Sequence, residues 1–379
     1  MSQMPNLQNT AFSPRVSILG VLSAFLVLCG LSCSSPDPRI ESERRAARDY
    51  TFFVLSDTHV GAENPKATPP VTRADTLAAV QANLDALRGW VGHPYPERPS
   101  FRDMSLGTVA TPRGLFVLGD LTDGHKEPAV EEEQWSAFAQ LFPVDGVAFA
   151  ERRVPVHAIA GNHDGEPSGP QRRGLVQRNR ALERAGRLAA ISPSGVHFAL
   201  EWEGVHIVCM NLCPADGTDA ETPFKYGKPG PGSWNDPEGA LSFLREYLAG
   251  RVRDSGEPVV LMHHYGFDGF SMNDWYWWTP RQRRELYLLL GRYNIAAIFQ
   301  GHDHHAAHYR WPDAKLHAAE MEFLFDGQVP PDCRQYDVFS CGNVCWVIRI
   351  RGQKLIAAHF RGPDWSDDPA NFFAKSLEP

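Results

Sequence analysis

The chain has 379 residues, 43% of them hydrophobic and 22% charged, with a formal net charge of −8. Such a composition is that of a soluble globular protein with a sizeable core. It argues against a nucleic-acid binder, whose affinity rests on clustered Lys and Arg, yet allows a small phosphorylated substrate, because a site can be locally positive inside an acidic protein.

At the N-terminus, a polar stretch whose only charged side chain is Arg15 precedes a weakly polar or apolar run, Val16 to Leu31, which ends in Ser32-Cys33-Ser34-Ser35. The run is shorter than the about 20 residues of a spanning helix. A basic residue, an apolar stretch and small residues form the layout of a secretory signal. The ending resembles a bacterial lipoprotein processing site with Cys33 as the lipidated residue, although Gly30 and Leu31 depart from the usual order; a cleaved soluble signal or a retained anchor are the other readings. Each places the folded part outside the cytoplasm, in the bacterial cell envelope, with membrane attachment through the N-terminus in the first and third. Residues 34–49 read as a tether, 50–362 as one catalytic domain and 363–379 as a tail. Five cysteines lie beyond the signal, so at least one is unpaired. Cys333 with Cys341 or Cys345 is the nearest cluster for a bridge, while Cys209 and Cys213 read equally well as buried small hydrophobes.

From Tyr50 onward, short apolar runs alternate with longer segments of helical period. Thr51 to Ser56, Gly114 to Gly119, Val154 to Ala160, Pro258 to Met262 and Ile295 to Gln300 are predicted strands, rich in Val, Ile, Leu and Phe and followed by polar or Gly residues. Leu77, Val80, Leu84 and Leu87 fall at helical spacing, and Glu131–Phe142, Gly174–Ala190, Pro237–Ala249 and Arg281–Tyr293 are further predicted helices. This alternation predicts an α/β fold with a mostly parallel sheet covered by helices. Val196–Glu201, Val205–Asn211 and the runs between Tyr336 and Phe360 add β segments without helices between them, which predicts a second sheet. Residues 214–236 and 266–279 read as long loop insertions, and loops of this length in a compact domain are usually functional or disordered.

In open α/β sheets the site lies at the carboxyl ends of the strands. Here the residues following the five runs are Asp57-Thr58-His59, Asp120-Leu121-Thr122-Asp123, Gly161-Asn162-His163-Asp164, His263-His264 and Gly301-His302-Asp303-His304-His305. Any one of these alone reads as a cap, a turn or a surface pair. Five together bring Asp, Asn and His to one edge of one sheet. Carboxylate, imidazole and amide oxygen suit divalent or trivalent Zn, Mn or Fe, and the absence of Cys from these segments argues against a structural thiolate site. Two such ions stabilise the attacking and leaving oxygens of a phosphate ester and lower the pKa of a bound water to make hydroxide.

In order and separation, Asp-x-His, Gly-Asp-x-x-Asp, Gly-Asn-His-Asp, a strand-end His and Gly-His-x-His resemble the calcineurin-like metallophosphoesterase superfamily. The resemblance implies a two-sheet β-sandwich flanked by helices and a binuclear metal site that hydrolyses a small phosphorylated substrate, a mono- or diester. It implies Asp57, His59, Asp120 and His304 on the first metal, and Asp120, Asn162, His263 and His302 on the second, with Asp120 bridging. His163 would contact the phosphate and assist the leaving group, with Asp164 orienting it. Tyr265 stands where relatives often have Pro, and His264 is the alternative to His263. Asp123 reads as structural, His305 as no ligand, and His125 as a substrate contact.

Trp275, Trp277 and Trp278 in the second insertion read either as core packing or as a lid that selects the alcohol of the ester. Arg281, Arg283 and Arg284 read as a solvated helix face in preference to contacts for extra phosphate groups. A non-catalytic surface lipoprotein using the same fold to bind a ligand is the competing function, and it is disfavoured because every ligand position is filled.

Overall fold

The computed structural model describes residues 38–150, 152–218, 234–271, 277–313, 321, 324–325, 327, 333–342, 345–361 and 364–379. Cys33 and the Val16–Leu31 run, most of the 214–236 loop, and Trp275 lie outside the described residues. In chain order the strands are β1 (Asp49–Leu55), β2 (Leu115–Leu118), β3 (Val147–Phe149), β4 (Arg152–Val154), β5 (Val156–Ile159), β6 (Ala190–Ile191), β7 (Phe198–Trp202), β8 (Val205–Cys209), β9 (Val259–Met262), β10 (Ile295–Gln300), β11 (Ala307–Trp311), β12 (Tyr336–Ser340), β13 (Cys345–Arg351), β14 (Lys354–Arg361), β15 (Asp364–Trp365) and β16 (Phe372–Ser376). The helices are α1 (Pro38–Ala46), α2 (Arg73–Trp90), α3 (Pro128–Leu141), α4 (Pro170–Arg184), α5 (Ala240–Tyr247) and α6 (Pro280–Leu290).

Two large sheets face each other. One runs β15-β14-β13-β1-β2-β5, with β16 also paired to β14, and the other runs β11-β12-β10-β9-β8-β7-β6. The strands β1, β2 and β5 are mutually parallel in the first sheet, as are β8, β9, β10 and β12 in the second. The motif strands are therefore divided, three in one sheet and two in the other, rather than lined up along a single sheet edge. The cause is the chain's two alternating runs, one before and one after the antiparallel β6-β7-β8 segment, each of which builds its own parallel core.

Side-chain alternation in the strands decides the layers. In β1, Phe53 and Leu55 face α2, α3 and α4 with Leu84, Leu87, Phe138 and Leu175, while Phe52 and Val54 face the opposing sheet. In β9, Val260 and Met262 point between the sheets, and Val259 and Leu261 point to α5 and α6, against Leu241, Leu244, Leu286 and Leu290. The result is a helix/sheet/sheet/helix sandwich. Thr72 with Asp75 and Thr279 with Gln282 form capping boxes at the starts of α2 and α6.

Both ends of the domain differ from expectation. The segment read as a tether carries α1, and Arg48 is buried with Nε donating to the Glu203 carbonyl (2.8 Å). The segment read as a tail contributes β15 and β16, because Phe372 packs into the first core. All five domain cysteines are free thiols, so no bridge joins Cys333 to Cys341 or Cys345. No helix of the described residues is long and apolar enough to cross a membrane.

Away from the motif segments, His157 is 1% exposed, stacks on Phe116 (5.0 Å between centroids), and has no hydrogen-bond partner at either ring nitrogen. Burial, with Arg178 and Arg187, pushes its pKa down to about 3. The unfolded chain titrates at the ordinary value, so it binds a proton that the native state refuses. Stability from this group is therefore complete above about pH 6.5 and is lost as pH falls toward the folded value. Relative to His157→Leu, the wild type is expected to lose about 1.4 kcal/mol more stability between pH 7.5 and 5.5, read from denaturant unfolding. Parallel losses in both proteins would refute the assignment.

Candidate metal centre and active site

The five polar segments emerge where the parallel strands of both sheets end. Tight packing there explains the glycines: a Cβ on Gly161 would overlap the Asp120 carboxylate, and one on Gly301 would overlap the Ser56 hydroxyl. The backbone is strained at the same place. Asp57, His59, Asp120, His302 and His304 have φ of 55°, 40°, 46°, 76° and 58°, a left-handed conformation costing about 1–2 kcal/mol per non-Gly residue. Five such residues converging on one spot indicate that side-chain placement there outweighs backbone preference.

Two sets of ligand atoms lie together, each within 4.8 Å of one another: Asp57, His59, Asp120 and His304, and Asp120, His264 and His302. In the first, His59 Nε2 lies 3.2 Å from His304 Nε2 and 3.5 Å from Asp120 Oδ2, and His304 Nε2 lies 3.6 Å from Asp57 Oδ1. In the second, His264 Nε2 lies 3.3 Å from Asp120 Oδ1 and 3.1 Å from Asn162 Oδ1. Asp120 thus turns one oxygen to each set. Asp57 accepts from the Ser56 hydroxyl and from the His302 amide (3.1 Å).

His264, not His263, enters the second set. This corrects the sequence assignment, and the pleat of β9 explains it. Met262 points between the sheets, so the next residue points outward; His263 packs against Phe267 and Trp278, and its Nδ1 donates to the Tyr265 carbonyl (2.6 Å). His264 returns to the inner side. Burial drives His263 down to about pKa 3.

A third group joins His59, Asp123 and His163. His59 Nδ1 lies 3.0 Å from Asp123 Oδ1, and His163 Nδ1 donates to the Asp123 carbonyl (2.8 Å). Asp123, read as merely structural, is therefore the residue that aims both imidazoles. Asp164 was expected to orient His163 but instead accepts from the amides of Gly161, Leu121 and Thr122 and from the Thr122 hydroxyl, clasping the Asp120 and Asn162 loops together. Burial, with the charge of Asp120, raises its carboxyl to about 6. The half-buried His125 accepts from the Glu127 amide, and the exposed His305 hydrogen-bonds the Asp303 carbonyl; neither joins a ligand set.

Burial alone would raise Asp120, but His264, His163 and His59 outweigh it and hold the carboxyl well below its usual range. Burial opposes protonation of His264, yet the Asp120 carboxylate lifts it to about 9. His302 is pushed well below its ordinary value by burial and by His264. Its Nε2 is buried with no hydrogen-bond partner beside Asp120 and His264. An orphaned ring nitrogen, and two imidazole nitrogens 3.2 Å apart next to carboxylates, are what a cation would satisfy, so the residues present fit a metal pair.

Tyr265 is fully buried, its ring 4.7 Å from His302, and its hydroxyl donates to Asn235 Oδ1. Trp277 packs edge-on against His302 at 4.2 Å. Trp278 is no lid residue: it is fully buried, packs against Phe267 and donates Nε1 to the Gly266 carbonyl (3.1 Å). Arg283 is likewise buried rather than solvated, donating to the Trp278 carbonyl (2.7 Å). Beside His304 opens a pocket of about 610 Å³, bounded by His305 and the segment Asp364–Asn371.

Strand-end Asp, Asn and His sets sharing one carboxylate, in a two-sheet sandwich, define a metal-dependent hydrolase site. The family model for calcineurin-like phosphoesterase matches residues 50–306, and the chain belongs to that family. Similar solved structures include a dimetal phosphatase from Danio rerio (12% identity, TM-score 0.49, 87% of this chain and 99% of that one). Others are GAP50, the anchor in the inner membrane complex of Plasmodium (10%, 0.44, 87% and 89%), and the calcineurin-like phosphoesterase YfkN from Bacillus subtilis (13%, 0.37, 87% and 91%). No curated protein matches the chain significantly.

Proposed function

We propose that this protein hydrolyses a small phosphate ester at a binuclear site of Fe, Mn or Zn class. Asp57, His59, Asp120 and His304 hold one cation, and Asp120, Asn162, His264 and His302 hold the other. The observation that carries this reading is the Asp120 carboxylate, with Oδ2 toward His59 and Oδ1 toward His264. When bound, the pair of cations offsets phosphoryl charge and lowers the pKa of water. His163 has Nδ1 committed to the Asp123 carbonyl, so Nε2 is the nitrogen left to meet substrate. As the ester P–O bond breaks and water's oxygen joins phosphorus, the protonated form of His163 gives its Nε2 proton to the departing alcohol oxygen, and the proton released by the attacking water restores the imidazole to that form for the next cycle.

Metal analysis of the purified protein, with hydrolysis of p-nitrophenyl phosphate and bis-p-nitrophenyl phosphate by the metal-loaded form, tests the reading. Two metals per chain with no turnover of any ester would favour the non-catalytic binding protein instead. The same proposal places the protein in the bacterial envelope as a lipoprotein, supported by the Val16–Leu31 run ending at Cys33. Cys33→Ser is expected to block maturation and release the protein from the membrane fraction. Unchanged fractionation would reject lipidation.

A further inference from the structure

Around the second ligand set the chain builds an aromatic wall that holding a cation does not require. Tyr265, Trp277 and Phe270 surround His302, with ring centroids 4.7, 4.2 and 5.1 Å away. Phe270 is 55% exposed, one of four large hydrophobic side chains left exposed among the described residues. It does not stand alone: its ring adjoins Trp277 (6.0 Å between centroids), which packs on His302, so the exposed apolar face runs up to the second ligand set. Nor is Phe270 a loose loop tip. The Asp268 carboxylate accepts from the Phe270 amide (2.9 Å), the Ser271 amide (2.8 Å), the Ser271 hydroxyl (2.7 Å) and Gln300 Nε2 (3.0 Å), tying the turn to the end of β10. Beneath it, Phe267 stacks on Trp311 at 3.9 Å. An aromatic ring fixed in place before a ligand arrives spares the ordering cost of binding.

The two flanks of the site differ. His163, the group placed at the leaving oxygen, adjoins His59 of the first set (4.9 Å between rings). The aromatic wall adjoins His302 of the second. A substrate whose leaving alcohol lies at His163 meets the wall with its other ester arm, and only a diester has one.

We infer that Phe270, with Trp277 beside it, is the platform for a flat apolar arm, the non-leaving alcohol of a phosphodiester substrate. The inference rests on the hydrolytic reading above. Phenyl p-nitrophenyl phosphate and methyl p-nitrophenyl phosphate share a leaving group and differ in that arm. After correction for uncatalysed rates, the wild type is expected to favour the phenyl ester in kcat/KM by about tenfold, the scale of one aromatic contact. Phe270→Ala should bring the ratio near one with its melting temperature unchanged, and Phe270→Trp should keep it. Calorimetric binding of phenylphosphonate against methylphosphonate gives a readout independent of turnover. If neither diester is hydrolysed while p-nitrophenyl phosphate is, the diester platform is overturned and the hydrolytic reading stands; if no ester at all is hydrolysed, the hydrolytic reading fails and the phosphonates alone decide the platform. A wild type that does not discriminate between the arms, or a Phe270→Ala protein that still does, would overturn the platform.

Discussion

Asp120→Asn is expected to lower ester hydrolysis by at least about 10³-fold, since the charge stabilisation lost is worth several kcal/mol, and to leave one metal per chain or fewer. The amide is nearly isosteric, so the close packing against Gly161 survives and the fold stays intact. Its chemistry is not equivalent. Where both carboxylate oxygens present lone pairs to opposite ligand sets, the amide presents one acceptor and one NH₂ donor, and the donor repels a cation. His264→Ala should similarly reduce metal content. His263→Ala should keep both metals and instead cost on the order of 2–4 kcal/mol of stability through the cavity it leaves. Metal analysis and unfolding curves on the three variants check this. Two tightly held metals in Asp120→Asn would end the bridging role, and metal loss confined to His263→Ala would reinstate that residue.

His163→Ala is expected to keep close to two metals while losing about 10²–10⁴-fold in rate, the usual worth of a positioned proton donor. The residue's amide donates to Asp120 Oδ1 (3.0 Å), a backbone contact that alanine retains. If Nε2 supplies the proton, the loss is larger for an alkyl leaving group than for p-nitrophenolate, which departs without one. Asp123→Ala should lower activity by a different route, through His59, whose Nδ1 loses its carboxylate partner, because the carbonyl that holds His163 Nδ1 belongs to the backbone and survives. Equal losses on both leaving groups would reduce His163 to electrostatic stabilisation of the phosphoryl oxygens, and missing metals would overturn its role.

The strand-end segments were legible because each follows a run of Val, Ile, Leu or Phe too short for a helix, and all five predicted motif strands form. Their division between two sheets was not, since a parallel run looks alike whichever sheet receives it. His264 was within reach: continuing the alternation of Leu261 and Met262 by two residues turns it inward. Asp164 misled because its nearest neighbour in sequence is His163, whereas its hydrogen bonds go to the Gly161 amide and to amides 42 and 43 residues away. Phe372 carried a signal that its position near the C-terminus obscured. Trp277 and Trp278 are adjacent and alike in sequence; only the tertiary fold sends one toward His302 and the other beneath Gly266.

Because the site straddles the seam, each ligand set draws on both halves of the chain: Asp57, His59 and Asp120 come from the first sheet, and His264, His302 and His304 from the second. The amide of His302 closes on Asp57 across 245 residues of sequence. Bringing groups this distant together costs loop-closure entropy, as does the still longer-range pairing of β1 with β13. Ester hydrolysis is therefore expected only where the two sheets have docked: one sheet alone carries no complete set, so recovery of activity on refolding would report that docking.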